Sequence, residues 1–284
     1  MSFESKICDR NMKKIKKDKP FSDLINITHI EPLHTHYGNI GCATSFKIQD
    51  SQGKFYKLRV EPKSSTAEER EQFIKAVSHF LPLCYGRDRE YLLFEFLQGR
   101  ELVTENESLD LFFKIGTMYG EINKLKYDGS KEEMEDKMCR KIKFIFHKKI
   151  ISAQDYKIVS AIYDELRRTI EYDIVLEVAD FSRSNFMIVS PNKVYLVDDG
   201  ALKYKMKGYG LIPQRLPGTN KEQREALFNG YKSVNSLDFF KKDYKKLLTL
   251  LYSIDKIQFR SIAQRDYHEE LKILYEFIGN AKAK

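Results

Sequence analysis

Residues 179–188 read ADFSRSNFMI and residues 194–200 read VYLVDDG. Two short apolar runs are therefore bracketed by Asp180 and Asn185 on one side and by Asp198 and Asp199 on the other. Runs this short read as strands, and a hairpin that pairs them returns residue 198 towards residue 185. Carboxylates crowded at strand ends are costly to bury, so such a cluster demands solvent or a cation. An Asp and an Asn at a strand entry are ordinarily turn residues, because both side chains bond nearby backbone. Asp198 at the end of the next strand is what sets this pair apart.

The surrounding pattern supplies the rest of the frame. SFKIQDSQGKFYKLRV, residues 45–60, is two strand-like runs joined by Asp50-Ser51-Gln52-Gly53, a composition suited to a tight turn. A helix is expected over 66–81, with Thr66 as N-cap, Glu69 completing a capping box, and Phe73, Val77 and Phe80 on one face. A further strand is expected over 89–99. The middle of the chain reads as helices over 107–126, 130–149 and 152–173, the last behind a Ser152 cap with Val159, Ile162, Tyr163, Leu166 and Ile170 in a stripe. After the strands at 185–198, helices are expected over 219–233, 237–254 and 257–280. The pattern is α+β: residues 1–97 form a β-rich unit with a basic N-terminal extension, and residues 98–284 a helical unit carrying the hairpin.

Composition narrows the partners. The chain holds 49 Lys and Arg against 41 Asp and Glu, a formal charge of +8, with basic clusters at 13–19, 140–149 and 241–246. Such an excess favours anionic partners: a nucleotide, a phosphorylated substrate or, peripherally, an anionic membrane surface. No zinc finger, RNP-like aromatic motif or helix-turn-helix accompanies the charge, so no nucleic acid is expected as partner. No apolar run approaches the roughly 18 residues of a membrane span, and no apolar stretch follows the basic N-terminus as a signal peptide requires. Cys8, Cys42, Cys84 and Cys139 are scattered without a C-x-x-C, which argues for a reducing, cytoplasmic setting. His34-x-His36 is a lone pair of a kind that ordinarily binds no metal.

Asp180 and Asn185 stand in D-x-x-x-x-N spacing, and Asp198-Asp199-Gly200 stands where a D-F-G follows it in phosphoryl-transfer enzymes. That chemistry needs a carboxylate to orient and deprotonate a hydroxyl, and oxygen ligands to hold a hard divalent cation against phosphate. Over roughly residues 38–235 the chain resembles the protein-kinase-like superfamily, in its aminoglycoside phosphotransferase, choline kinase and lipopolysaccharide core kinase branch. The resemblance implies a two-lobed fold, a small β-rich lobe and a larger helical lobe, with ATP and Mg²⁺ between them and phosphate transfer to a hydroxyl. It implies that Asp180 is the catalytic aspartate and that Asn185 and Asp198 are the metal ligands. YLLFEFLQG resembles the inter-lobe hinge, so that Glu95 and Leu97 would meet adenine through their backbones. GNIGCATSF, residues 38–46, stands where the phosphate-covering loop belongs, with Gly38 and Gly41 and with Ser45 as a phosphate donor.

Lys57 and Arg59 are two apart on one strand and so share a face, opposite Tyr56, Leu58 and Val60. The alignment sets Arg59 on the phosphate-pairing position and Lys57 one pleat earlier, and leaves open which pairs the phosphates. Their acidic partner on the next helix is expected to be Glu69, with Glu71 the alternative. The chain also departs from the family. Val178-Ala179 precedes Asp180 in place of H-G or H-R, and Ser182 replaces a basic residue, a charge that Arg183 is placed to supply. Asp199 replaces the D-F-G aromatic, as a solvated turn residue. No A-P-E follows Gly200, so no peptide-docking segment of the usual kind is expected. The acceptor is expected to be a hydroxyl of a small molecule, a sugar or a lipid-linked group. A polycationic acceptor suits a basic chain poorly. The alternative is a pseudokinase that binds nucleotide and regulates or interacts without efficient chemistry.

Overall fold

The structure, a computed structural model, describes residues 3–33, 43–103, 107–191, 193–216 and 218–282. The chain forms two compact units, one of Met1–Glu107 with Ser182–Leu202 and the other of Ser108–Phe181 with Lys203–Lys284. The division at 97/98 expected from sequence therefore falls inside the first unit, and the 185–198 hairpin groups with that unit. The physical reason is strand pairing: β6 (Arg100–Glu101) hydrogen-bonds to β8 (Phe186–Ser190), which pairs with β9 (Lys193–Leu196).

In the first unit, β1 (Ile27–Pro32), β2 (Thr44–Asp50), β3 (Phe55–Val60), β4 (Cys84–Asp88) and β5 (Tyr91–Glu95) build an antiparallel sheet in the order β1-β2-β3-β5-β4. The turn between β2 and β3 is the one read from sequence: Asp50 Oδ1 accepts the N–H groups of Gln52 and Lys54, both at 2.9 Å. Direct cross-strand partners Phe46, Leu58 and Leu93 share one face with Ile48, Tyr56, Val60 and Tyr91. That face is covered by α1 (Phe3–Asp18), expected only as a basic extension. Its 3.6-residue period turns Met12 and Ile15 inward while Lys13, Lys16 and Lys17 stay in solvent. Asn11 Nδ2 donates to Thr44 Oγ1 at 2.7 Å, and Tyr91 OH donates to Asp18 at 2.7 Å, tying both halves of α1 to the sheet.

The expected helix over 66–81 is instead α2 (Ser64–Ala76), which follows an extended Lys63 and has no side-chain cap, so Thr66 lies inside it. Ala67, Phe73 and Ile74 bury against β4 and β5, and this packing sets the start that the capping motif suggested two residues later. Val77 leaves the helical region at φ −123, and 78–80 is a separate 3-10 turn. The strand expected over 89–99 is a hairpin of β4 and β5 that ends at Glu95.

The second unit is helical: α3 (Leu109–Ile122), α4 (Lys131–His147), α5 (Ala153–Thr169), α6 (Lys221–Lys232), α7 (Lys242–Ile262) and α8 (His268–Lys282), with β7 (Ile174–Val178) paired to β10 (Leu202–Met206). Ser108, Ser130 and Ser152 cap the first three, each hydroxyl accepting a backbone N–H of the first turn at 3.1 to 3.3 Å. Asn220 and Gln223 form a reciprocal capping box on α6. Helices α3 and α6 approach to backbone contact: a Cβ on Gly116 would lie 1.9 Å from the Leu227 carbonyl oxygen, and one on Gly230 1.8 Å from that of Phe113. Helix α7 runs through the break expected at 255–256, because Asp255 turns inward to the ammonium groups of Lys141 and Lys205 and the hydroxyl of Tyr209. Among the described residues, no helix is long and apolar enough to cross a membrane.

Candidate active site

The hairpin β8–β9 is held at its base by main chain. Val197 N–H donates to the Asn185 carbonyl at 2.8 Å, one rung beyond the Phe186–Leu196 pair, so Asp198 follows the residue that faces Asn185 at the open end. Asn185 is buried and ends a 3-10 turn begun by Arg183, its own N–H donating to the Ser182 carbonyl at 2.9 Å. Asp198 is partly open to solvent, its side chain 44% exposed. Its Oδ1 accepts the Gly200 N–H at 2.9 Å. The amide of Asn185 and the carboxylate of Asp198 are hard oxygen donors, a chemistry that fits a divalent cation such as Mg²⁺.

Both basic residues of β3 reach this segment. Lys57 Nζ donates to the Val197 carbonyl at 2.5 Å. Arg59 Nη1 meets Asp198 Oδ1 at 3.1 Å and Asp199 Oδ1 at 3.2 Å, and its Nε meets Glu61 Oε1 at 2.6 Å. Arg59 is thus the carboxylate-bound residue of the two and Lys57 the carbonyl-bound one. The strand period explains the shared direction, since Tyr56, Leu58 and Val60 face α1. Ser45, directly opposite Arg59 in the β2–β3 ladder, is buried on the same face.

These groups tune one another. Burial opposes charge on Arg59, but Asp199, Asp198 and Glu61 outweigh it and hold the guanidinium protonated beyond its ordinary range. Burial lowers Lys57, and the like charge of Arg59 adds to that, against the pull of Asp199 and Asp198. Asp198 is drawn below the usual carboxylate value: burial would raise it, yet the charges of Arg59 and Lys57 prevail. Gly200 makes room for this arrangement. A Cβ there would sit 2.9 Å from Asp198 Oδ1 and 3.0 Å from an Arg59 guanidinium nitrogen.

Several expected partners are placed elsewhere. Glu69 lies on the exposed side of α2, and Glu71 pairs with Lys75 and Arg87, each at 3.0 Å, so neither expected acid of α2 meets Lys57 or Arg59. Glu61, the residue that follows β3, takes that place. Strand period two puts Glu61 on the Arg59 face, a signal legible as R-x-E once the strand is known. Asp199 is 2% exposed and bound to Arg59, not a solvated turn residue. Arg70 also escaped sequence reading: its Nη1 donates to the carbonyls of Asp199 at 3.1 Å and Leu202 at 2.7 Å. Its position among Ala67, Phe73 and Ile74 marks the inward face of α2, where a charge implies a buried partner. Glu95 closes β5 with its N–H donating to the Leu83 carbonyl at 2.8 Å, and Leu97 follows outside the strand. Asp180 follows β7 in the second unit, between buried Ala179 and Phe181, the Phe181 ring lying 6.5 Å from Tyr119. Gly38 and Gly41, with His34 and His36, lie outside the described residues.

No protein-family model matches the chain, and no curated protein matches it. Solved structures do. The choline kinase LicA from Streptococcus pneumoniae is 14% identical, with 96% of this chain and 100% of that one covered and a TM-score of 0.63. The aminoglycoside phosphotransferase APH(2'')-Ib in its ADP-bound form is 14% identical, covering 93% of this chain and 96% of that one at a TM-score of 0.63. The amicoumacin kinase hAmiN, in complex with AMP-PNP, Ca²⁺ and Ami, is 15% identical, covering 98% and 96% at a TM-score of 0.62. The chain has the α+β protein-kinase-like fold of these small-molecule kinases, with an antiparallel sheet in its N-terminal region and helices in its C-terminal region.

Proposed function

We propose that this protein is an ATP- and Mg²⁺-dependent phosphotransferase that carries the γ-phosphoryl group to a hydroxyl of a small-molecule, sugar or lipid-linked acceptor. The observation that supports the reading is the hairpin end, where Val197, the residue before Asp198, bonds the Asn185 carbonyl and Asp198 Oδ1 meets Arg59 Nη1 at 3.1 Å. The solved neighbours, captured with ADP or with AMP-PNP and Ca²⁺, support a nucleotide and a divalent ion as its ligands. Scattered free cysteines support a reducing, cytoplasmic setting.

In this reading Asn185 and Asp198 hold Mg²⁺, which neutralises charge on the nucleotide phosphates when bound. Lys57 and Arg59 place positive charge at the phosphates, and Ser45 donates to them. Glu95 and Leu97 offer backbone groups to adenine. Asp180 accepts the proton of the acceptor hydroxyl as that oxygen bonds to the γ-phosphorus. The bond from phosphorus to the bridging oxygen breaks, and its electron pair leaves with ADP. Arg183 meets the charge on the transferring group. The acceptor is not polycationic, in keeping with the +8 formal charge.

Thermal-shift titration with ATP, with and without Mg²⁺ or Mn²⁺, tests the reading, because a ligand that binds the folded state alone raises its apparent stability. A metal-dependent rise, lost in Asp198→Ala, is expected. A protein indifferent to ATP at millimolar metal contradicts it. Val178-Ala179 and Ser182, where the family has His or Arg and a basic residue, favour a second reading, a pseudokinase. Metal-dependent nucleotide binding without ADP formation across a panel of hydroxyl acceptors would select it.

A further inference from the structure

We propose that Glu61 and Asp199 are positioning residues for Arg59, a buried carboxylate pair that replaces the acid expected from α2 and keeps Arg59 in place when a divalent cation takes Asp198. The proposal rests on the phosphotransferase reading above.

Arg59 touches three carboxylates that differ in one respect. The side chains of Glu61 and Asp199 are each 3% exposed, whereas that of Asp198 is 44% exposed. Two anions are therefore sealed against the guanidinium and the third is open to a competing cation. The bond to Glu61 is the shortest of the three, 2.6 Å from Nε, and it uses an edge of the guanidinium that the two aspartates do not. Asp198 can leave Arg59 without releasing it.

Helix α2 contributes the opposite charge. Its acid Glu71 is engaged by Lys75 and Arg87, and the side chain it sends inward is Arg70, which binds the main-chain carbonyls of Asp199 and Leu202. A cation on α2 cannot neutralise Arg59. It fixes the backbone of the 199–202 turn instead, and with it the Asp199 carboxylate. Remove Glu61 or Asp199 and Arg59 falls back on Asp198, where it competes with the metal.

The test is the Mn²⁺ concentration that gives half of the ATP-dependent thermal shift at fixed ATP, measured for wild type, Glu61→Gln, Asp199→Asn, Glu61→Asp and Glu71→Gln. A charge-assisted hydrogen bond is lost in the first two variants, so the midpoint rises about tenfold in each. Glu61→Asp recovers part of that rise, and Glu71→Gln keeps the wild-type midpoint. The same Glu61→Gln change made in an Arg59→Gln background produces no further rise, because Glu61 acts through Arg59. Wild-type midpoints in both Glu61→Gln and Asp199→Asn overturn the proposal, as does an equal rise in Glu71→Gln. A wild-type protein with no metal-dependent shift overturns the phosphotransferase reading and this proposal together, whereas a wild-type shift with unmoved variants overturns this proposal alone. If Glu61→Gln does not fold, folding restored by adding Arg59→Gln supports the pairing. Failure to fold in that background as well overturns it.

Discussion

Glu177, on β7, is fully buried and accepts backbone N–H bonds from Gly208 and from Gly210, the latter at 3.1 Å, so one carboxylate pins the segment that follows β10. Burial pushes its pKa from 4.5 up to about 8, against the opposing pull of the Gly210, Gly208, Asn123 and Tyr209 hydrogen bonds. An acid raised in this way stays protonated in the folded protein over a range where the unfolded chain has already ionised. Between these two values the native state binds the extra proton, so stability falls as pH rises and levels off above the folded value. At about 1.4 kcal/mol per pH unit, the window sets a ceiling of about 5 kcal/mol on the loss. Replacing the carboxyl by an amide removes the proton from the balance and leaves one N–H without its acceptor, a pH-independent cost of about 1 to 3 kcal/mol. Urea unfolding followed by far-ultraviolet circular dichroism, at intervals from pH 5 to 9, reads both effects, because every other titrating group cancels between wild type and Glu177→Gln. Wild type is expected to be the more stable at pH 5, and its advantage to shrink or reverse by pH 8. Parallel stability curves across that range would refute the reasoning, because they mean that the carboxyl is already ionised in the folded protein.

Other perturbations follow from the same structure. Gly230→Ala places a methyl 1.8 Å from the Phe113 carbonyl oxygen, so α3 and α6 must separate, and thermal denaturation should register a loss of about 2 to 3 kcal/mol. Asp255→Asn leaves the ammonium groups of Lys141 and Lys205 without their shared carboxylate. A destabilisation of about 3 to 5 kcal/mol is expected at pH 5, shrinking towards pH 8, since burial lowers Lys205 to about 8 with Asp255 in place and further without it. Gly200→Ala crowds Asp198 and Arg59 together and should reduce the metal-dependent thermal shift by ATP while moving the unliganded melting point little.

Much of this architecture is written in local pattern, and its failures have specific causes. The Asp50 turn, the Ser152 cap and the 185–198 hairpin depend on neighbours a few residues away, and each is found where spacing puts it. The start of α2 was misread because burial of Ala67, Phe73 and Ile74 prevails over the Thr66–Glu69 capping motif. Helix α1 was missed because its two inward residues, Met12 and Ile15, are outnumbered by exposed lysines, and the partner sheet that gives them meaning is remote in sequence. The break expected at 255–256 is bridged because Asp255, inside α7, meets Lys141 and Lys205, partners remote in sequence. The site divides in the same way. Lys57 and Arg59 are legible from strand period, but their acid was sought on α2, where Glu71 proves to serve Arg87. Arg70 and Asp199 are visible only in three dimensions, because their partners are 129 and 140 residues away along the chain.

The central claim, phosphoryl transfer from ATP with Asp180 as base and Asn185 and Asp198 on the metal, is tested most directly by pairing two readouts on one variant. ADP formation and the Mn²⁺-dependent ATP thermal shift are measured for wild type, Asp180→Asn and Asp198→Asn with the same panel of hydroxyl acceptors. The account predicts that Asp180→Asn loses about a hundredfold or more in turnover while keeping its thermal shift, and that Asp198→Asn loses both. Asp180→Asn turning over at the wild-type rate would contradict it.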